Sequence, residues 1–154
     1  MKQSIMIASG GAALIGAAFY TFSTFAAEAE RVVLRDADPA IVALGASVYE
    51  TNCASCHGAD LEGQANWRSM DEDGRLPAPP HDKTGHTWHH DGDTLFRLTK
   101  YGVGALINDP DYASNMPIYE GVLSDEEIIA VLSYIKSTWP EDIRARHSEM
   151  ENRQ

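Results

Sequence analysis

Three stretches of the chain carry apolar residues at three- and four-residue spacing, and each predicts a helix. In the first, Ile41, Leu44, Gly45, Val48 and Tyr49 fall on one face. Asp38 can cap the free amides at its start, and Pro39 suits the first helical position, where no amide hydrogen is needed. The pattern runs on through residues 53–57 and stops near Gly58. The second stretch opens at Asp93, read as the cap, and takes its apolar side from Leu95, Phe96 and Leu98. It should end at Tyr101, where Gly102 can adopt the left-handed conformation. The third is the clearest. Ser124-Asp125-Glu126-Glu127 is a capping box, and its acidic side chains suit the positive end of the helix dipole. Ile128, Val131, Leu132, Ile135 and Trp139 form one stripe with Tyr134 beside it, and Pro140 stops the pattern.

The segments between these helices are irregular. Residues 59–92 hold Pro77, Pro79 and Pro80, several glycines and many charges. A stretch of that length without regular structure is uncommon in a packed domain unless it has a task. Residues 103–121 read as a second loop containing Asn115-Met116-Pro117. Residues 141–154 are strongly polar and either continue as a surface helix or fray. No strand pattern and no internal repeat is present, so the expected fold class is all-α, with three to five helices and long loops.

The N-terminal hydropathy has a different origin. Lys2 precedes an apolar run from Ile5 to Ala27 broken only by Ser, Thr and Gly, which reads as an export segment. Thr24-Phe25-Ala26 and Ala27-Glu28-Ala29 each place small residues where a signal peptidase cuts. The run is also longer than the core of about 7–15 residues of a cleaved signal, and long enough to span a bilayer. Cleavage and retention as an anchor through residues 5–27 stay open. In both cases the rest of the chain is exported, to a bacterial periplasm, either soluble or tethered to the inner membrane. The expected organisation is residues 1–29 as signal or anchor, 30–38 as connector, 39–140 as the domain and 141–154 as tail. The net charge of −11 removes nucleic acid as a partner, because phosphate binding needs a basic face.

The chemistry gathers at Cys53-Ala54-Ser55-Cys56-His57, where the only two cysteines of the chain lie. The spacing is C-x-x-C-H, the pattern for covalent attachment of a c-type haem. Two thiols one helical turn apart can each add to a vinyl group of one porphyrin, and the adjacent His57 can then reach the iron from one face. The long loop suits such a cofactor, which it could wrap, with Trp67, Leu76 and Trp88 as apolar cover. Other chemistries use the same thiols. A zinc site could combine Cys53 and Cys56 with His86 and His90, although the gap to His86 far exceeds finger spacing. A disulfide or a redox dithiol is the third possibility, but the βαβ pattern expected around a thioredoxin-like motif is missing. The group His81, His86, His89 and His90 reads mainly as hydrogen bonding within a loop; a surface copper or zinc site and a partner interface are the alternatives.

Given a haem, the second face of the iron needs a ligand. Met116 is the candidate: it sits in a loop before the last helix, and Pro117 beside it can hold the thioether at a fixed distance. Core filling is the ordinary role of a methionine, and the four loop histidines are the other candidates for the iron.

With Cys53-Ala54-Ser55-Cys56-His57-Gly58, Asn115-Met116-Pro117-Ile118-Tyr119 and the capped helix from Ser124 to Trp139-Pro140 in this order, the chain resembles a class I c-type cytochrome over roughly residues 39–139. The resemblance implies a small cytochrome c fold with its first and last helices packed beside one covalent haem c, crossing at Gly45 and Tyr49 against Tyr134. It also implies a Pro carbonyl holding the proximal His57, with Pro79 and Pro80 both eligible. The function it implies is one-electron transfer by a His57/Met116-ligated haem, and no enzymatic activity of its own. Free carriage by a periplasmic protein is the first expectation, and an electron-transfer subunit of a periplasmic dehydrogenase or oxidase complex is the alternative. The expected partners are redox proteins, with a basic docking face to match the acidic charge. The His-rich segment 86–90 departs from the family pattern.

Overall fold

The structure is a computed structural model that describes residues 31–153. The signal-or-anchor expectation for residues 1–29 lies outside the described residues. Five α-helices and no strand occur among them: α1 Pro39–Asn52, α2 Ala54–His57, α3 Gly92–Ile107, α4 Asp125–Ser137 and α5 Glu141–Glu151. A single 3-10 turn, Thr87–His89, interrupts the long loop before α3. None of the helices among the described residues is long and apolar enough to cross a membrane.

Helix α1 starts where expected. The Asp38 carboxylate accepts from the amides of Ala40 and Ile41, and Pro39 occupies the first turn. Gly45, Val48 and Tyr49 form its buried face, whereas Leu44 is exposed. That face packs on α4, whose stripe Ile128, Val131, Leu132 and Ile135 is fully buried. Each such side chain contributes about 1.5–3 kcal/mol by leaving water. The crossing point is Gly45. A Cβ there would lie 2.0 Å from the carbonyl oxygen of Ala130 and 2.8 Å from Cβ of Tyr134, so only glycine lets the helices come this close. The rings of Tyr49 and Tyr134 meet alongside at 5.5 Å. Helix α4 is fixed at its start by the expected box: Ser124 Oγ accepts from the Glu127 amide and the Glu127 carboxylate accepts from the Ser124 amide.

Three boundaries differ from the sequence expectation. The first helix does not run unbroken into the motif. Cys53 leaves helical geometry at φ −121° while its amide still donates to Tyr49 O, and the chain restarts as α2. The cap of α3 is Asp91, not Asp93, because the Asp91 side chain is the one that accepts from the Thr94 amide. The Asp93 carboxylate instead accepts from the Val32 amide. Gly102 does take a positive φ of 82°, but the helix kinks there and resumes, and Asn108 in the left-handed region ends it. A glycine relieves strain at a kink as readily as at a terminus.

Residues 31–38 are less of a free connector than their polarity implies. Leu34 joins the core, and the Arg35 amide donates to Ser133 Oγ on α4 at 2.8 Å. The C-terminal segment takes the helical alternative, as α5, and one of its residues is deeply placed: His147 is 1% exposed. Its Nε2 lies 2.9 Å from the His90 carbonyl and its Nδ1 3.4 Å from the Glu151 carboxylate. Glu151 also pairs with Lys136 of α4, itself 2% exposed, which reaches Asp36 on its other side at 3.3 Å. A lysine so deeply buried requires compensating charge, and here two carboxylates from opposite ends of the domain supply it.

Candidate functional site

The motif residues sit on the break between α1 and α2. Cys53 caps both helices and is half-buried; Cys56 is exposed; both are free thiols. His57 is 7% exposed. The α2 turn is held by amides of Cys56 and His57 donating to Cys53 O at 3.1 and 2.9 Å, which keeps the thiols and the imidazole in a fixed relation. Two tyrosines brace it from outside. Tyr49 donates its hydroxyl to Gly58 O at 2.9 Å and Tyr119 donates to Asn52 O at 2.7 Å. Neither hydroxyl was singled out from the sequence. Tyr49 reads from sequence as core packing and Tyr119 only as the end of the Asn115–Tyr119 stretch, and backbone acceptors leave no sequence trace.

The sequence left Pro79 and Pro80 as equal candidates to hold His57. The structure brings Pro79: its carbonyl oxygen is 2.8 Å from His57 Nδ1. A carbonyl can only accept, so Nδ1 carries the proton and Nε2 keeps its lone pair. This is the tautomer a metal-ligating histidine needs, oriented by a hydrogen bond at its other nitrogen. Burial lowers the His57 pKa, only partly opposed by the Pro79 hydrogen bond, so the neutral ring is favoured. Burial also pushes the Cys53 thiol up to about 11, reinforced by Cys56 and moderated by a Tyr119 hydrogen bond. Tyr119 itself is raised by burial and then by the two cysteines.

The loop histidines are engaged separately. His81 stacks on His57 with ring centroids 4.0 Å apart. Burial, with His57 and His86 nearby, holds its pKa well below the ordinary value of 6.5. His86 stacks on Trp67 at 5.2 Å and meets His90 edge-on. His89 stacks on Trp88 at 3.7 Å. The zinc arrangement of Cys53, Cys56, His86 and His90 does not form: no group of three or more His, Cys, Asp or Glu side chains among the described residues is placed to hold a metal ion. Of the residues considered as apolar cover, Trp67 and Trp88 are half-buried and Leu76 is exposed.

Met116 is half-buried and packs against the core cluster. Its loop is pinned by the Met116 amide donating to Ser114 Oγ at 3.1 Å and by Arg75 donating to Asn115 Oδ1 at 2.6 Å. Beside it opens a cavity of about 540 Å³ whose wall includes Tyr101, Gly102, Tyr112, Met116 and Ile118. Cys53, Cys56 and His57 do not line that cavity. Together these features fit a haem. There are two free thiols, an imidazole with Nε2 available, a half-buried thioether packed against the core, and a buried Trp88 indole N–H without an acceptor among the described residues. A carboxylate of the porphyrin is the kind of acceptor such a donor suits.

A family model described as cytochrome c matches residues 42–139, well over half of the chain. The chain belongs to the cytochrome c family. Its cofactor is therefore covalent haem c, the group of an electron-transfer domain. The match ends at Trp139, so α5 lies beyond it. Among curated proteins, the chain is 27% identical over 104 residues to cbb3-type cytochrome c oxidase subunit FixP of Rhizobium etli, covering 65% of this chain and 32% of that protein. It is 26% identical over 93 residues to subunit CcoP of Cereibacter sphaeroides, covering 59% and 28%. A shorter match to CcoP of Rubrivivax gelatinosus reaches 36% over 50 residues, 32% of this chain and 16% of that one. The matched part thus spans about a third or less of the length of these relatives. No solved structure matches.

Proposed function

We propose that Cys53 and Cys56 carry the two thioether links, that His57 Nε2 and Met116 Sδ take the two faces of the iron, and that the cytochrome serves as the electron-transfer part of an oxidase complex outside the cytoplasm. The observation that carries the ligand assignment is the hydrogen bond from His57 Nδ1 to Pro79 O, which leaves Nε2 free and aimed by a rigid support. The haem supplies a centre that gains and loses one electron without a change of ligands. The chain's residues set how readily it does so. A thioether ligand raises the potential relative to harder donors, and apolar cover disfavours the more positive ferric form. The Trp88 indole N–H supports the reading by offering a donor to a haem carboxylate.

Membership in an oxidase complex is favoured over a freely shuttling carrier by the relatives, which are named as oxidase subunits. Two measurements on the full chain test the proposal. Haem that resists acid-acetone extraction and gives a sulfur-ligated low-spin spectrum supports the ligand set; extractable haem removes it. Co-purification of the tagged chain with a cytochrome c oxidase from native membranes supports the complex. Quantitative recovery as a lone protein that still delivers electrons to the oxidase returns the reading to a free carrier.

A further inference from the structure

The ring of His81 lies nearly flat over that of His57, with planes 22° apart and centroids 4.0 Å apart. Both the backbone and the ring of His81 are held. The His81 amide donates to Leu61 O at 2.8 Å, and the His81 carbonyl accepts from Trp139 Nε1 at 2.8 Å. On the ring, Nδ1 is 2.8 Å from Thr87 Oγ1, while Thr87 is buried with its hydroxyl 3.5 Å from Pro80 O. A hydroxyl has one proton. Donated to the Pro80 carbonyl, it leaves the Thr87 oxygen to accept Nδ1–H of His81. The Tyr49 ring closes the remaining side edge-on at 6.4 Å.

His57 is less constrained by its own contacts. The bond from Nδ1 to Pro79 O fixes where one ring atom points, but a single hydrogen bond leaves the ring free to rock about that line. A pinned flat plate against its face removes that freedom. An aliphatic side chain at position 81 would fill the same space without defining a plane.

We propose that His81 is a positioning residue that fixes the plane of the His57 ring about the iron–nitrogen axis. The inference rests on the reading of His57 as an iron ligand. The plane matters because the imidazole π orbital overlaps one of two perpendicular iron orbitals according to its orientation. That choice decides where unpaired spin spreads over the porphyrin in the ferric state. Orientation of a ligating histidine by its surroundings is a general means of tuning a metal.

The experiment is proton NMR of the ferric full-length protein, read at the four haem methyl resonances, with melting temperature recorded alongside. The parent should give one well-spread set. His81→Ala should change the spread and order of the four shifts with both axial ligands retained. Thr87→Val, which frees the far edge of the plate without touching His57, should move the pattern in the same direction by a smaller amount. His81→Phe restores a plate and should return the pattern toward the parent. A lowered melting temperature with an unchanged methyl pattern in His81→Ala marks a role in packing alone and overturns the proposal. If His81→Ala does not fold, an unchanged pattern in Thr87→Val overturns it, as does a His81→Phe pattern no closer to the parent than that of Thr87→Val. A parent without an imidazole–iron bond overturns the reading of His57 and this inference together; a bond retained with an unmoved pattern overturns the inference alone.

Discussion

The Nδ1 of His57 and the carbonyl oxygen of Pro79 stand 2.8 Å apart, joined across 22 residues of sequence. This contact ties the middle of the long loop to the motif helix and decides which imidazole nitrogen is left free. It gives the loop a task that its length alone implied, and it makes the motif a prepared site with one nitrogen already committed.

The attachment prediction follows from that preparation. Replacing Cys53 and Cys56 together by Ala leaves His57 and its support intact but removes both points of covalent linkage. The variant should carry no haem through a denaturing gel stained for haem peroxidase activity, and its thermal unfolding should lose cooperativity. Covalent haem in the double variant would overturn the assignment of both thiols.

Met116→Ala tests the second face. The variant should lose the sulfur-to-iron charge-transfer absorption, and its potential should drop by a large part of the roughly 0.8 V range that axial ligands control. Potentiometric titration measures this directly. An unchanged potential and spectrum would pass the role to another side chain. His86 is then the stronger candidate of the loop histidines, because His81 is already engaged by Thr87 and His57.

At the helix crossing, Gly45→Ala places a methyl group against the Ala130 carbonyl, where a Cβ has only 2.0 Å. The backbones must separate or tilt. Overpacking of this kind costs about 1–3 kcal/mol, readable as a lower denaturant midpoint with an unchanged slope. Because α1 delivers Cys53, the same variant should reduce the yield of haem attachment. A midpoint equal to the parent's would show that the crossing has room the geometry does not display.

These sites differ in how far the sequence exposes them. The C-x-x-C-H motif and the Ser124 box are local patterns with a fixed spacing, so both are readable from sequence, and the box forms as expected. Pro79 could not be chosen over Pro80 because the group that matters is a backbone carbonyl, which every residue has. The α3 boundaries were misplaced because two aspartates two residues apart can each cap, and because Gly102 permits both a stop and a kink. The docking of α5 was hidden for a different reason. Its buried contacts are made by His147 and Glu151, and a helix whose inner face is ionic shows no apolar stripe. Its partners Lys136 and Asp36 lie far away in sequence, so only the tertiary fold reveals the cluster.

That cluster gives a pH prediction. Burial alone would raise the Glu151 carboxyl, but hydrogen bonds from His147 and Lys136 and their charges outweigh it and hold the pKa below the ordinary 4.5. Asp36 and Arg144 complete the charges facing it through Lys136 and each other. A carboxylate depressed in the folded state adds stability that is fully present above its unfolded pKa. That stability is lost as pH falls through the folded value. The melting temperature should therefore hold from neutral pH to about pH 5 and fall below it, with a smaller fall in Glu151→Gln. Lys136→Ala, which leaves the half-buried Asp36 and Glu151 only Arg144 and His147 as partners, should destabilise the fold at neutral pH by up to about 3 kcal/mol. A Glu151→Gln melting curve that tracks the parent at every pH would remove the linkage.

The last prediction concerns the partner. The chain carries a net charge of −11, and Asp60, Glu62, Asp71, Glu72 and Asp73 are exposed on the loop that follows the motif. Asp109 lies in the wall of the cavity beside Met116. Charge of one sign spread over a surface sets encounter rates more than fold. An electron carrier must also meet its partner in the right orientation and leave again, so its contact should be small and salt-sensitive. The partner should then present a basic face around its own redox centre. Steering predicts that the second-order electron-transfer rate falls steeply as ionic strength rises toward about 0.1 M, where the screening length is about 10 Å. Neutralising Asp60 and Glu72 together, as Asp60→Asn and Glu72→Gln, should flatten that dependence while leaving the haem spectrum as it is. If the charge serves solubility alone, the rate should stay level across the same range in parent and variant. A rate that rises with salt would instead point to an acidic partner. If residues 5–27 stay as an anchor, the measurement should be repeated with the partner in the membrane, because a tether raises local concentration and masks weak steering.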